Sequence, residues 1–229
     1  MVHERNLLVS SLKLTKFGPI QDDLISKDAQ IPWQIAEKIL NKICNEGLIQ
    51  RDNGVVEVTS NQRIKIAIQA IKLGADFEKV CSFLDWSEFE NIATAAFEAN
   101  CFAVRRGFRF AESGRRWEVD ILGFREPVVA CVDCKHWHHG WRRAATIKAV
   151  EAQVIRTKAL ANALPTLHQK LGLANLKETI LVPIVLSLYP GPLKFYKKTP
   201  IVSILQLQNF LSEFIAHVNQ ITHFFPSTS

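Results

Sequence analysis

Long apolar runs are missing. Nothing in the 229 residues approaches the roughly 18 consecutive apolar residues of a transmembrane helix, and the longest stretch, around 180–188, is short and interrupted by Pro183. The N-terminus opens on His3, Glu4 and Arg5 with no apolar segment ahead of a small-residue cleavage site, so no signal peptide is predicted. Cysteine is scarce: five scattered residues cannot all pair internally and do not form a disulfide framework, which predicts a reducing, cytoplasmic setting. Internal repeats and low-complexity segments are also lacking. With 48% hydrophobic residues there is ample material to offset ordering entropy, which excludes a disordered chain. A soluble globular protein of one large or two small domains is expected, with no membrane partner.

Charge is unevenly distributed. Residues 1–85 balance 11 Lys/Arg against 11 Asp/Glu, so the whole excess of +6 lies in 86–229. Within 104–148 there are ten Lys/Arg against five Asp/Glu, together with Trp117, Trp137 and Trp141. Arginine with interleaved aromatics suits phosphate contacts and base stacking, the electrostatic footprint of a nucleic-acid surface. A solvated basic face is the plainer alternative.

The first 60 residues read as three helices and a hairpin. Helices are predicted at 6–14 and 20–26 around the Gly18-Pro19 break, and a third begins at Pro32 with Ile35, Ile39, Leu40 and Ile43 at helical spacing. Asp52-Asn53-Gly54 then joins two short β-rich segments, because Asn-Gly supplies positive φ at little cost. This order resembles a winged helix-turn-helix domain. In that arrangement the third helix would be the recognition helix, presenting Gln34, Lys38, Asn41 and Asn45. The neutral charge of 1–85 leaves a protein-contact role equally open.

Thr59-Ser60 predicts a helix through about residue 72, and a shorter helix over 77–84 leads to a domain boundary at 85/86. From 86 the pattern is a helix capped by Ser87, strands at 102–110, 117–124 and 128–137, and a helix at 144–163. Two more strands at 179–188 and 201–205 and a last helix near 208–220 complete it. This predicts an α/β domain with a mixed sheet flanked by helices.

The sharpest feature is the strand pair Glu118-Val-Asp120-Ile-Leu-Gly-Phe124 and Val128-Val-Ala-Cys-Val-Asp133-Cys-Lys135. Alternation places Glu118 and Asp120 on one face, with Trp117, Val119 and Ile121 on the other; in the second strand Asp133 and Lys135 share a face. Burying such charges without partners is costly. If the strands pair, Asp120 and Asp133 converge on a hard divalent cation with Lys135 beside them. Mg²⁺, which takes one or two carboxylates plus water and phosphate oxygens, suits that set.

Asp120 followed thirteen residues later by Asp133-Cys134-Lys135 resembles the PD-(D/E)xK nuclease superfamily. Phe89-Glu90 is similar to the pair that opens the catalytic core in Mrr-like restriction endonucleases, and archaeal Holliday-junction resolvases have a Ser-Gly where Ser113-Gly114 stand here. The resemblance spans about 86–215, and departs in having Val119 where the motif has Pro. It implies a restriction-endonuclease-like fold and Mg²⁺-dependent cleavage of DNA, with Mn²⁺ as a substitute and no organic cofactor. Asp120, Asp133, the Cys134 carbonyl and Glu90 would be the metal ligands, and Lys135 would orient the attacking water and stabilise charge on the phosphate. Glu118, Gln153 and His136 are accessory candidates. Arg115, Arg116, Arg142, Arg143 and Lys148 would contact the DNA backbone.

Cys131 and Cys134 also form a C-x-x-C, but no second ligand pair accompanies it and residues three apart in a strand face opposite sides, so zinc is disfavoured. A homodimer is expected, because this superfamily often cuts two strands with two sites and an apolar C-terminal helix would supply a symmetric interface. The functional alternative is a non-catalytic DNA-binding regulator on a degenerate nuclease fold.

Overall fold

A computed structural model of the chain describes residues 1–135, 143–173, 175–188 and 190–227. The chain divides into two compact units, Met1–Phe89 and Glu90–Ser229. Among the described residues no helix is long and apolar enough to cross a membrane.

The first unit contains α1 (Val2–Leu14), β1 (Ile20–Gln21), α2 (Asp22–Asp28), α3 (Trp33–Asn45), β2 (Gln50–Asp52), β3 (Val55–Glu57), α4 (Ser60–Lys72) and α5 (Phe77–Ser82). The three strands form an antiparallel sheet in the order β1-β3-β2, behind a core that includes Leu7, Leu8, Leu12, Ile25, Leu40, Ile43 and Val56. This order of helices and hairpin is compatible with a winged helix-turn-helix. Asp52 pairs with Val55 across a two-residue turn, and Asn53 and Gly54 both adopt the positive φ such a turn requires. Two expectations change. The helix expected from Ile20 starts at Asp22, because Ile20 and Gln21 pair with Val56 and Val55 while Asp22 and Asp23 occupy the first helical turn, where the helix dipole favours them. In α3, Pro32 is the N-cap, and Ile35 is exposed while Ala36, Leu40 and Ile43 make the buried stripe. Thr59 and Gln62 close a capping box at the start of α4.

α6 (Trp86–Ala99) runs through the division between units. Its start is capped by Asp85 rather than Ser87: Asp85 Oδ1 accepts from the Glu88 N–H and Glu88 Oε2 accepts from the Asp85 N–H, each at 2.8 Å.

The second unit is mixed α/β. Its strands are β4 (Ala103–Glu112), β5 (Arg115–Arg125), β6 (Val128–Lys135), β7 (Ile180–Ser187), β8 (Phe195–Tyr196) and β9 (Thr199–Ser203); α7 (Arg143–Leu171) and α8 (Leu207–Phe214) are its further helices. The six strands run in the order β4-β5-β6-β7-β9-β8. An antiparallel meander β4-β5-β6 is joined to parallel β7 and β9, with β8 antiparallel at the edge. A six-stranded mixed sheet flanked by helices is compatible with a restriction-endonuclease-like fold. Gly123 lets α6 lie close to the sheet, since a Cβ there would meet the Phe97 ring at 2.6 Å.

α7 continues through Pro165, past the end expected at about 163. The carbonyl that proline cannot bond in an α-helix, that of Ala161, accepts instead from the Ser227 N–H at 3.4 Å. α8 is shorter than expected and ends in a 3₁₀ turn over Ile215–Gln220. Leu207, Leu211 and Phe214 are buried within the chain, so those residues do not supply the symmetric interface expected of this helix. The two-residue edge strand β8 had no counterpart in the sequence reading.

Candidate active site

The β5–β6 ladder runs from Arg125–Val128 to Ile121–Val132 and stops there. The next rung would set Asp120 opposite Asp133. Instead the Asp120 side chain closes the end of the ladder, with Oδ2 accepting from the Cys134 N–H at 2.8 Å. Across β4, the position in register with Asp120 is Gly107, at φ +56°. Strict alternation fails nearby. Val119 and Leu122, three residues apart, join the same core cluster with Phe108, Phe110, Cys131 and the α7 residues Leu160 and Leu164.

Asp133 is almost fully buried, and each of its oxygens has a cationic partner. Lys135 Nζ lies 2.8 Å from Oδ2, and Arg156 Nη1, from α7, lies 2.6 Å from Oδ1. The same Arg156 nitrogen donates to Gln153 Oε1. Gln153 is completely buried and its Nε2 donates to the Cys131 carbonyl at 2.7 Å, so it ties α7 to β6. Burial pushes the Asp120 carboxyl up to about 6, and the neighbouring Asp133 charge adds to the rise; the Cys134 N–H, Lys135 and Arg156 oppose it.

Two desolvated carboxylates beside each other are a fitting environment for an oxygen-binding divalent cation. Among the described residues no group of three His, Cys, Asp or Glu side chains could hold a metal. A cation here would therefore complete its shell with main-chain, water or phosphate oxygens, as Mg²⁺ does.

The other sequence candidates separate into groups. Glu90 pairs with Arg106 Nη2 at 2.6 Å, and its charge helps raise the Cys134 thiol. Glu118 is exposed and doubly bonded to Arg109 at 3.0 and 3.3 Å. Gln153 lies under the site as a buried strut. His136 and Arg142 fall outside the described residues. Arg143 and Lys148 are exposed in the first turns of α7. Arg115 and Arg116 begin β5; Arg115 stacks 3.9 Å from the Trp117 ring centroid, and Arg116 lines a shallow cleft of about 560 Å³ with Arg109, Phe110 and Trp117. In the first unit Gln34, Lys38 and Asn41 are exposed on α3, and Asn41 accepts from Arg51 at 2.6 Å. Burial raises the Cys131 thiol to about 12 and the Cys134 thiol well above its ordinary value. Arg156 escaped the sequence reading altogether. The only available signal was its i+3 spacing from Gln153.

No protein-family model matches the sequence. An uncharacterized protein of Archaeoglobus fulgidus is 28% identical over 127 residues, covering 56% of this chain and 89% of that protein. Among solved structures, protein VC1899 from Vibrio cholerae aligns with 96% of this chain and 50% of its own, at TM-score 0.37 and 11% identity. Restriction endonuclease FokI aligns with 93% and 44%, at TM-score 0.36 and 14% identity. AF1548, a protein of unknown function, aligns with 43% and 46%, at TM-score 0.29 and 12% identity. The chain thus spans about half the length of these solved chains or less, and such similarities are distant.

Proposed function

We propose that the protein is a Mg²⁺-dependent endonuclease hydrolysing DNA phosphodiesters. The observation that carries this reading is the meeting of Asp120 and Asp133, with Lys135 alongside, where the β5–β6 ladder ends. Asp120, Asp133 and the Cys134 carbonyl would hold the ion, with Glu90, which is paired to Arg106, reaching it through water; the ion would supply Lewis-acid stabilisation of phosphate charge and a more acidic bound water. In a strand a residue's N–H and C=O point to the same edge, so the carbonyl of Cys134 faces the side on which its N–H meets Asp120. Lys135 Nζ would orient the attacking water and offset charge on the non-bridging phosphate oxygens. Arg115, Arg116, Arg142, Arg143 and Lys148 would bind the backbone, in the unit that carries the chain's whole basic excess. DNA contact by Gln34, Lys38 and Asn41 is proposed as a second, weaker attachment.

One observation favours a non-catalytic DNA-binding role: both oxygens of Asp133 already have cationic partners. The two readings separate on incubating the protein with Mg²⁺ or Mn²⁺ and labelled duplex, single-stranded, branched and methylated DNA. Cleavage abolished by Asp120→Ala, Asp133→Ala and Lys135→Ala supports the nuclease. Metal-independent binding with no cleavage of any substrate supports the regulator.

A further inference from the structure

A metal ion on Asp133 would, in the arrangement described, sit beside two cations that already neutralise the carboxylate. Lys135 and Arg156 take one oxygen each, at 2.8 and 2.6 Å. They are held differently. Lys135 sits on the same strand as Asp133 with its side chain about one-third exposed, whereas Arg156 reaches from another element, α7, and is braced by Gln153. Gln153 is itself anchored to the Cys131 carbonyl of β6, so the guanidinium rests on a buried floor.

We propose that Arg156 is a positioning residue that guards the metal site. It neutralises Asp133 before a divalent cation binds, and turns to a non-bridging oxygen of the DNA phosphate when the cation takes Asp133. This rests on the nuclease reading and adds a coupling to it. A cation arriving alone is repelled by the guanidinium in a desolvated site, whereas with a phosphate present the guanidinium exchanges one anionic oxygen for another. Cation and DNA therefore bind with positive cooperativity, and linkage requires each to tighten the other by the same factor. A planar guanidinium suits both partners, since it matches carboxylate and phosphate alike.

The test is Mn²⁺ binding to the full chain, followed by electron paramagnetic resonance, with and without duplex DNA of phosphorothioate backbone. Without DNA, Arg156→Met is expected to bind Mn²⁺ about tenfold more tightly than wild type, and Arg156→Lys to stay near wild type because it keeps the charge. Adding the duplex should tighten Mn²⁺ in wild type and have little effect in Arg156→Met. Should Arg156→Met fail to fold, Arg156→Gln, which still bonds to Asp133 without charge, gives the same comparison. A folded Arg156→Met or Arg156→Gln whose Mn²⁺ affinity equals or falls below wild type overturns the guarding role and leaves the metal site standing. If Asp133→Asn binds Mn²⁺ as wild type does, the metal site itself is misplaced and the guarding role falls with it.

Discussion

Each unit buries an arginine–carboxylate pair, and the two pairs are built on different terms. In the first, Arg63 Nε meets Glu88 Oε1 at 2.6 Å, Nη1 donates to the Leu12 carbonyl and Thr15 Oγ1, and Nη2 donates to the Phe83 carbonyl. The other Glu88 oxygen accepts from the Asp85 N–H. One charge opposes one charge, and the surplus donors end on neutral acceptors from two separate segments, the end of α1 and Phe83. In the second unit Arg156 and Lys135 face Asp133 while a second carboxylate, Asp120, is pressed in beside it. The first network closes on neutral acceptors and fastens elements together; the second sets two carboxylates side by side, a juxtaposition that a divalent cation would relieve.

The strongest test of that contrast is Arg63→Met. It strands Glu88, which is 1% exposed, without its counter-charge, and should destabilise the protein by about 3–5 kcal/mol in denaturant unfolding. Arg63→Met with Glu88→Leu should recover much of the loss, since an apolar pair leaves no orphaned charge.

Asp120→Asn should act in the opposite direction and raise stability at neutral pH. In the folded chain the Asp120 carboxyl titrates at about 6 against an ordinary 3.8, so burial favours its protonated form. That contribution is complete below about 3.8 and is lost as pH rises through about 6, a difference on the order of 3 kcal/mol. Unfolding measured between pH 4 and 7.5 should show this loss in wild type and a flatter profile in Asp120→Asn, which should also lose cleavage. An unchanged profile would show that Asp120 is not crowded.

Cys134→Val keeps the carbonyl and the apolar character, and should cost less than about 1.5 kcal/mol while preserving metal-dependent cleavage. Loss of a tightly bound zinc together with folding would reverse the assignment of this strand. The smallest effect is expected at Thr59→Ala, which removes the capping box of α4 and should lower stability by about 1 kcal/mol in the same assay.

The sequence was most readable where short-range chemistry decides. Asn53-Gly54, the Thr59 cap and the β-rich runs that became β5 and β6 all announced their structure, and the convergence of Asp120 and Asp133 followed from pairing those strands. Simple alternation misled at Leu122, which joins the face of Val119 near the positive-φ Gly107. Arg156 was unreadable because a helix carries polar residues all round. Only the seating of α7 on the sheet shows that Arg156, unlike Lys158, is the one that meets Asp133. β8 is two residues long and has no periodicity to detect. Ser87 and Asp85 are both good caps, and the choice depends on which of them Glu88 answers.

The proline in α7 has a consequence for the order of assembly. Residues 161 and 227 are far apart in sequence, yet the Ser227 amide fills the acceptor that Pro165 leaves open, and Phe224 makes a β-bridge to Leu181 just before it. The distal turns of α7 are therefore sealed by a segment far downstream of it. During refolding, amides in 166–171 should gain protection from hydrogen exchange later than those in 147–160, and only together with those of the 224–227 segment.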